Sequence, residues 1–321
     1  MKEITKISSF EEGASIQGFF LCVEKHLRHT RTGDLYIDLV LRDNTGTVYG
    51  KIWDKVSELN DKFSSGDPVA VKGNVELFQE RHQLVIVKIS KASVQYYGRY
   101  GYDPALIVPT SPHDPKKMWK EVVAIIGKIK NPYLKKIVFS IYRHHKEKIC
   151  IHPASVIMHH NYRSGFLEHV LSMAKVANQL SGLYNVDRDL VMTGVLLHDI
   201  GKLEEISEDM EAEYTDAGNF IGHIVIGRDM VKTAAKNIKN FPKELLQQLE
   251  HIILSHQGRY EWHSPKQPVF LEALLVHMID NLDAKMNLMK QAIDDDQNEG
   301  KWTNKKNIFR TALFKGSDES E

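Results

Sequence analysis

Apolar and polar residues alternate along the first 95 residues, which is the pattern of strands with one buried face. Five segments carry this pattern: 16–26, 35–42, 47–53, 69–78 and 84–89. After the third segment, Val56, Leu59 and Phe63 are spaced as on one helix face, and Asp54 is a predicted N-cap. The polar run Gln79–His82 predicts a hairpin between the last two strands. We therefore predict three strands, a short helix and two more strands.

After residue 115 the pattern changes to the spacing of amphipathic helices. Helices are predicted over 116–130, 132–148, 164–183, 187–199, 219–239, 242–256, 270–291 and 303–314. Residues 93–115 contain many glycines, prolines and tyrosines and are predicted to form a linker. The predicted fold class is therefore multidomain β + α, with a β-barrel domain over 12–92 and an all-α domain over 116–315.

Composition and charge narrow the setting without defining a function. Hydrophobic residues make up 42% and charged residues 26% of the chain, which is ordinary for a globular protein. The chain has no run of 18 apolar residues and no apolar signal core, so we expect no membrane association. The two distant cysteines, Cys22 and Cys150, suit a reducing cytoplasm. Residues 96–150 contain 11 Lys and Arg against 4 Asp and Glu. Such a segment could contact phosphates, but the charge alone favours lysine-rich solvated helix faces.

Candidate chemistry is centred on the doublet His198-Asp199, where an apolar helix ends before Gly201. Imidazole nitrogen and carboxylate oxygen are suitable ligands for Mn²⁺, Fe²⁺ or Zn²⁺. A histidine at a helix end can also interact with the helix dipole, and an aspartate can cap the next segment. The doublet alone therefore does not separate a metal site from a helix end.

Further ligand-type residues lie on or beside other apolar helices: His169, His223, His256 and Asp280. A buried polar group without a partner costs about 2–7 kcal/mol. A shared metal centre would give all of these side chains a partner, and this favours the metal hypothesis.

This ordered set resembles the HD-domain phosphohydrolase superfamily, with the core of the resemblance over about 163–281. The resemblance implies a first metal held by His169, His198, Asp199 and Asp280, and a second metal held by His223 and His256. It also implies that Asp199 bridges the two ions and that Lys202 contacts the scissile phosphate, so Asp199 and Lys202 are the predicted catalytic residues.

The residues around this set leave more than one interpretation. His159 and His160 are predicted to line the entrance of the site. His277 and Asp283 flank Asp280 and either orient the ligands or lie on the surface. The acidic run 204–213 is predicted to be a solvated loop that gates the site.

The strand order of the first domain resembles the OB-fold, a small barrel that binds single-stranded nucleic acid by stacking bases on aromatic rings. Tyr36, Trp53 and Phe78 are the predicted stacking residues, and Arg81 is predicted to bind phosphate. Arg163, in the second domain, is predicted to bind either a substrate phosphate or a nearby carboxylate. Further candidates are Tyr49, Arg28, Arg31, Lys51 and Lys88. Because inward-facing barrel aromatics belong to the core, we expect about two of the four aromatic residues to touch a base.

An N-terminal OB-fold joined to an HD domain is similar to the YhaM-type 3′–5′ exoribonucleases of Gram-positive bacteria, and the run 159–169 contributes to this similarity. It implies manganese-dependent removal of nucleotides from the 3′ end of single-stranded RNA, with activity on single-stranded DNA. Two ions per chain are expected, with Fe²⁺, Co²⁺ and Mg²⁺ as alternatives to Mn²⁺. Homo-oligomer formation is left open. The competing functions are an HD hydrolase of small or cyclic nucleotides with a regulatory OB domain, and a non-catalytic single-strand-binding protein in replication or repair.

Overall fold

The computed structural model describes residues 4–316, and these divide into two compact units. One unit contains the residues up to Thr110 together with Asp209–Glu211, and the other contains the remaining described residues from Ser111 onward. Among residues 4–316, no helix has the length and apolar character needed to cross a membrane.

The first unit is built around a closed five-stranded barrel with the strand order β1-β2-β3-β5-β4. The strands are β1 (Ser15–His29), β2 (Leu35–Asp43), β3 (Gly46–Ile52), β4 (Pro68–Phe78) and β5 (Arg81–Lys91). All pairings are antiparallel except that between β3 and β5. The barrel interior is filled by residues such as Phe20, Ile37, Leu39, Val69 and Leu84. The predicted barrel is therefore confirmed.

Two short helices accompany the barrel: α1 (Val56–Asn60) and α2 (Val94–Tyr97). The prediction of Asp54 as N-cap is wrong. Helix α1 begins at Val56, so the N-cap is Lys55, which has a left-handed backbone conformation with a φ of 53°. Much of the predicted linker is ordered. Tyr102, Ile107 and Val108 are buried against Phe19 on the outside of the barrel.

The second unit is helical. Its helices are α3 (Pro115–Gly127), α4 (Pro132–His144), α5 (Lys146–Ile151), α6 (Gly165–Leu180), α7 (Arg188–Leu197), α8 (Lys202–Glu205), α9 (Asp216–Phe220), α10 (His223–Lys236), α11 (Lys243–Ser255) and α12 (Leu271–Asp294). The predicted helix over 132–148 is divided at His145. That over 219–239 is divided at Gly222, whose φ of 80° suits glycine. One buried apolar cluster joins α3, α4, α6, α7, α11 and α12.

The helix predicted over 303–314 is wrong, and the residues there form turns instead. The Asn304 side chain accepts a hydrogen bond from the backbone N–H of Lys306, and the Asn307 side chain accepts one from Phe309. Such local side-chain bonds compete with helical hydrogen bonds, and they explain why apolar spacing did not produce a helix.

Candidate metal centre

Five helical segments bring the predicted ligands together in the helical unit. His169 lies on α6 and Asp280 on α12, while His198 and Asp199 directly follow α7. His223 is the first residue of α10, and His256 directly follows α11. All of these side chains are buried except that of His223, which is half-buried. The apolar faces of the helices pack in one core, so their single polar residues converge on one point.

The first cluster contains His169, His198, Asp199 and Asp280. The Nε2 atoms of His169 and His198 are 3.4 Å apart. His169 Nε2 lies 3.4 Å from Asp280 Oδ1, and His198 Nε2 lies 3.3 Å from Asp199 Oδ2. Two imidazoles and two carboxylates directed at one point form a donor set that suits a divalent transition metal.

The second cluster forms on the other oxygen of Asp199. Asp199 Oδ1 lies 3.4 Å from His223 Nε2 and 3.4 Å from His256 Nε2. Within residues 4–316, Asp199 Oδ1 and His223 Nε2 are buried without a hydrogen-bond partner. Orphaned buried atoms of this kind are costly unless a further group satisfies them, and a cation between them would do so. The Asp199 carboxylate thus faces one cluster with each oxygen.

The opposite ring nitrogens fix the orientation of the histidines. Nδ1 of His198 donates to the Val195 carbonyl at 2.8 Å, and Nδ1 of His256 donates to the Ile253 carbonyl at 2.7 Å. Nδ1 of His169 donates to the carboxylate of Asp283 at 2.8 Å. A proton held on Nδ1 leaves the lone pair of Nε2 directed into the site, as a metal ligand requires.

Asp283 binds the ring nitrogen of His169 that points away from the first cluster. Its Oδ2 accepts hydrogen bonds from His169 Nδ1 and from His160 Nε2 at 3.0 Å, and its Oδ1 accepts one from Ser172 Oγ. Burial opposes ionisation, but the bonds from His160 and His169 hold the pKa of Asp283 well below its usual range. Asp283 and His160 therefore orient His169, a role that sequence spacing could not separate from surface placement.

The charge of the site favours a bound cation. Burial lowers the pKa of His169, but the hydrogen bonds to Asp280 and Asp283 outweigh it and raise the pKa to about 9. The carboxylates of Asp280 and Asp283 thus stabilise a proton on His169, and a bound divalent ion would displace that proton. Burial would raise the pKa of Asp199, but the Lys202 ammonium, 2.6 Å from Asp199 Oδ2, holds it well below its usual range.

Sequence reasoning missed Glu205, which it assigned to a solvated loop. Glu205 ends α8 and is buried. Its Oε1 accepts hydrogen bonds from the backbone N–H of His223 at 2.8 Å and from His223 Nδ1 at 2.9 Å. The available signal was that Leu203 continues the apolar pattern after the doublet, so the chain stays in the core for one more turn.

Two further histidines, His277 and His159, lie directly beside the predicted ligands. His277 is buried, and its Nδ1 donates to the His256 carbonyl at 2.7 Å. The ring centroid of His159 lies 5.1 Å from that of His169, and burial lowers the pKa of His159 to about 3. The ring nitrogens of His159 and His169 and an oxygen of Asp280 are close enough to share an ion. His159 is thus a further candidate ligand.

On the barrel, the structure brings together two of the predicted stacking residues. Tyr36 and Trp53 stack with ring centroids 4.8 Å apart, and Lys51 Nζ lies 4.9 Å from the Tyr36 centroid. Tyr49 and Phe78 are exposed. None of these four aromatic side chains belongs to the buried barrel core, so all four stay candidates for contact with a base.

The charged candidates are distributed differently. Arg28 and Lys51 both pair with Asp38, at 3.2 and 2.8 Å, so part of their charge is already neutralised. Arg81 begins β5 opposite Phe78, where the hairpin turns. Arg163 lies in the helical unit, in the turn before α6.

We expect Asp283→Asn to lower divalent-metal affinity by about 10- to 100-fold, because an amide cannot accept from both His160 and His169 with the same strength. Titration of metal-stripped protein with Mn²⁺ measures the effect. Asp294→Asn, an exposed position on the same helix, is the matched control and should leave the affinity unchanged. Equal affinities for Asp283→Asn and the control would contradict the orienting role.

Comparison with known proteins agrees with both units. The family model described as HD domain matches residues 166–285, and that described as OB-fold nucleic acid binding domain matches residues 22–92. The HD match includes all six predicted metal ligands.

Several solved structures match just over a quarter of this chain. The second OB-fold domain of replication protein A from Methanococcus maripaludis is 20% identical, with a TM-score of 0.25, and the match covers 28% of this chain and 96% of that chain. The replication factor A related protein from Methanobacterium thermoautotrophicum is 22% identical, with a TM-score of 0.26 and coverages of 29% and 93%. Rim1, a mitochondrial single-stranded DNA binding protein from S. cerevisiae, is 12% identical, with a TM-score of 0.22 and coverages of 26% and 97%. The two family models and the closed five-stranded barrel show that the chain carries an N-terminal OB-fold followed by an HD domain. This combination indicates a metal-dependent phosphohydrolase joined to a nucleic-acid-binding domain.

Proposed function

We propose that this chain is a metal-dependent 3′–5′ exoribonuclease that hydrolyses phosphodiester bonds of single-stranded RNA, with activity on single-stranded DNA. The observation that carries the proposal is the position of Asp199. Its two carboxylate oxygens face separate clusters of histidine Nε2 atoms, 3.3 and 3.4 Å away. A carboxylate shared between two such clusters is well placed to serve a pair of metal ions.

In this proposal His169, His198 and Asp280 would hold one ion, His223 and His256 would hold the other, and Asp199 would serve both sites. When bound, the ion pair supplies an activated water and neutralises the charge of the phosphodiester. The donor set of nitrogen and oxygen atoms without thiolate suits Mn²⁺, which we propose as the ion, with Fe²⁺, Co²⁺ and Mg²⁺ as alternatives.

The chain itself contributes a positive charge beside the clusters. Lys202 is buried, its Nζ lies 2.6 Å from Asp199 Oδ2, and its backbone carbonyl accepts a hydrogen bond from His152 Nε2 at 2.9 Å. These contacts hold the ammonium at the site. We propose that it donates to a phosphate oxygen and stabilises the negative charge that develops on the leaving oxygen.

The barrel supports a strand as substrate rather than a free nucleotide. In the stacked pair, Tyr36 is the second residue of β2 and Trp53 directly follows β3. The face of these two strands is the surface with which OB-folds bind oligonucleotides. Phe78 and Arg81 flank the β4–β5 turn, a second region that OB-folds use. We propose that these residues, together with Arg163, bind the strand.

We expect Trp53→Ala to weaken binding of single-stranded RNA by roughly 5- to 150-fold, since stacking of one base on an aromatic ring contributes about 1–3 kcal/mol. Fluorescence anisotropy with a labelled oligouridine measures the dissociation constant, with the metal-binding residues intact. Tyr184→Ala, which removes an exposed ring from the helical unit, is the control and should bind as the unmodified chain does. Unchanged binding by Trp53→Ala would remove this face from the proposal.

A digestion experiment separates the proposed function from its alternatives. Single-stranded RNA labelled at its 5′ end should give a series of products that shorten from the 3′ end when Mn²⁺ is present, and a chelator should stop the reaction. Hydrolysis of cyclic or mononucleotides without shortening of RNA would favour the small-nucleotide hydrolase. Binding without any hydrolysis would favour the non-catalytic single-strand-binding protein. The proposed polarity is supported by the resemblance of the run 159–169 to YhaM-type exoribonucleases.

A further inference from the structure

The long helix α12 has an exposed apolar face. Its exposed residues are Leu271, Leu274, Met278, Leu282, Lys285, Met286, Met289, Lys290 and Asp294. Six of these nine are leucine or methionine, and each retains between 38% and 64% of its exposure. An ordinary surface helix presents charged and polar residues on this face. We call the six residues the α12 stripe.

The stripe lies opposite the face that serves the metal centre. With 100° between successive residues, the six side chains fall within about 60° of the direction opposite Asp280. His277 and Asp283 lie on the buried side with Asp280. The stripe is therefore not needed for the packing of the site, which leaves its apolar character without an explanation inside one chain.

The spacing of the stripe is symmetric about position 280. Leu271 and Met289 are equally far from it, and so are Leu274 and Met286, and Met278 and Leu282. A two-fold axis at this position would place each member of a pair against the other member on an antiparallel second helix. A surface that matches itself under a two-fold rotation is what an isologous dimer requires.

We propose that the α12 stripe is a homodimer interface, in which the α12 helices of two copies of this chain pack antiparallel. The stripe extends for about 27 Å along the helix at 1.5 Å per residue. At roughly 80 Å² for each half-exposed side chain, two copies would bury about 1,000 Å², the lower bound for a specific interface. The alkyl stem of Lys285 lies against the apolar contact while its ammonium reaches solvent.

Sedimentation equilibrium of the full chain at micromolar concentrations tests the proposal. We expect twice the 36.8 kDa chain mass for the unmodified protein and a monomer for Met278→Glu/Leu282→Glu. Phe139→Glu, which adds one glutamate at an exposed apolar position on α4, should remain a dimer. Circular dichroism checks that each variant is folded. A monomeric unmodified chain, or an assembly that the double substitution leaves intact, would overturn the proposal.

Disulfide cross-linking tests the antiparallel register even if the charged variants fail to fold. In a Cys150→Ser background, where Cys22 is buried, Met278→Cys mixed with Leu282→Cys should cross-link faster than either variant alone. A parallel pair would instead cross-link Met278→Cys to itself. Faster self-linking of either variant than of the mixture would overturn the register.

Discussion

Replacement of Asp199 by asparagine should reduce hydrolysis of single-stranded RNA by at least about 10³-fold. The substitution removes the negative charge from between two groups of histidine nitrogens. It also turns one oxygen into an amide N–H₂, which would donate to an imidazole Nε2 and occupy the lone pair that a metal needs. One change therefore weakens both ion sites, whereas loss of any other single ligand weakens one.

Metal analysis distinguishes this result from a general loss of structure. We expect about two Mn²⁺ ions per chain in the unmodified protein and fewer than one in Asp199→Asn, with an unchanged circular dichroism spectrum. Asp229→Asn is the matched control and should keep both ions and full activity. Asp229 lies at an exposed position on α10, where its ion pair among residues 4–316 is with the adjacent Arg228. RNA degradation at the unmodified rate by Asp199→Asn would show that the shared carboxylate does not serve the reaction.

The barrel was predictable because its signals are local. Strand alternation places Ile37, Leu39 and Leu41 inside and their neighbours outside, and each turn has its own polar residues. The metal centre was predictable for a different reason. Isolated polar residues such as His169 and Asp280 interrupt apolar helix faces, and an apolar face must pack inward. The doublet His198-Asp199 alone did not separate a metal site from a helix end. The ligand-type residues on the other helices favoured the metal site.

The supporting residues could not be predicted, because their roles arise from contacts between distant parts of the chain. Asp283 binds His160, which lies 123 positions away, and Glu205 binds His223, 18 positions away. Local spacing gives Asp283 the same character as an exposed helix residue. Only the fold brings it behind His169. The helix prediction over 303–314 failed for the opposite reason. There, local hydrogen bonds of asparagine side chains override the apolar spacing that predicted a helix.

A close packing contact beside the doublet leads to the second large prediction. Gly201 follows His198-Asp199 by two residues in an ordinary right-handed conformation, so an alanine there would not strain the backbone. However, there is no space for a side chain at this position. A Cβ on Gly201 would lie 2.5 Å from the backbone nitrogen of Gly227 and closer still to the carbonyl oxygen of His223. Both atoms belong to the backbone of α10, so relief requires movement of the helix.

We therefore expect Gly201→Ala to destabilise the helical unit by about 2–3 kcal/mol, which corresponds to a fall in Tm of roughly 5–10 °C. Because His223 is the first residue of α10, the same movement should weaken the ion site formed with His256 more than the site formed by His169, His198 and Asp280. Thermal unfolding followed by circular dichroism measures the first effect, and Mn²⁺ titration measures the second. Gly127→Ala, in the last position of α3, is the control. Its Cβ would meet no atom within 4 Å, so this variant should be at least as stable as the unmodified chain. Equal Tm values for Gly201→Ala and Gly127→Ala would show that the structure accommodates a Cβ at Gly201 without movement of α10.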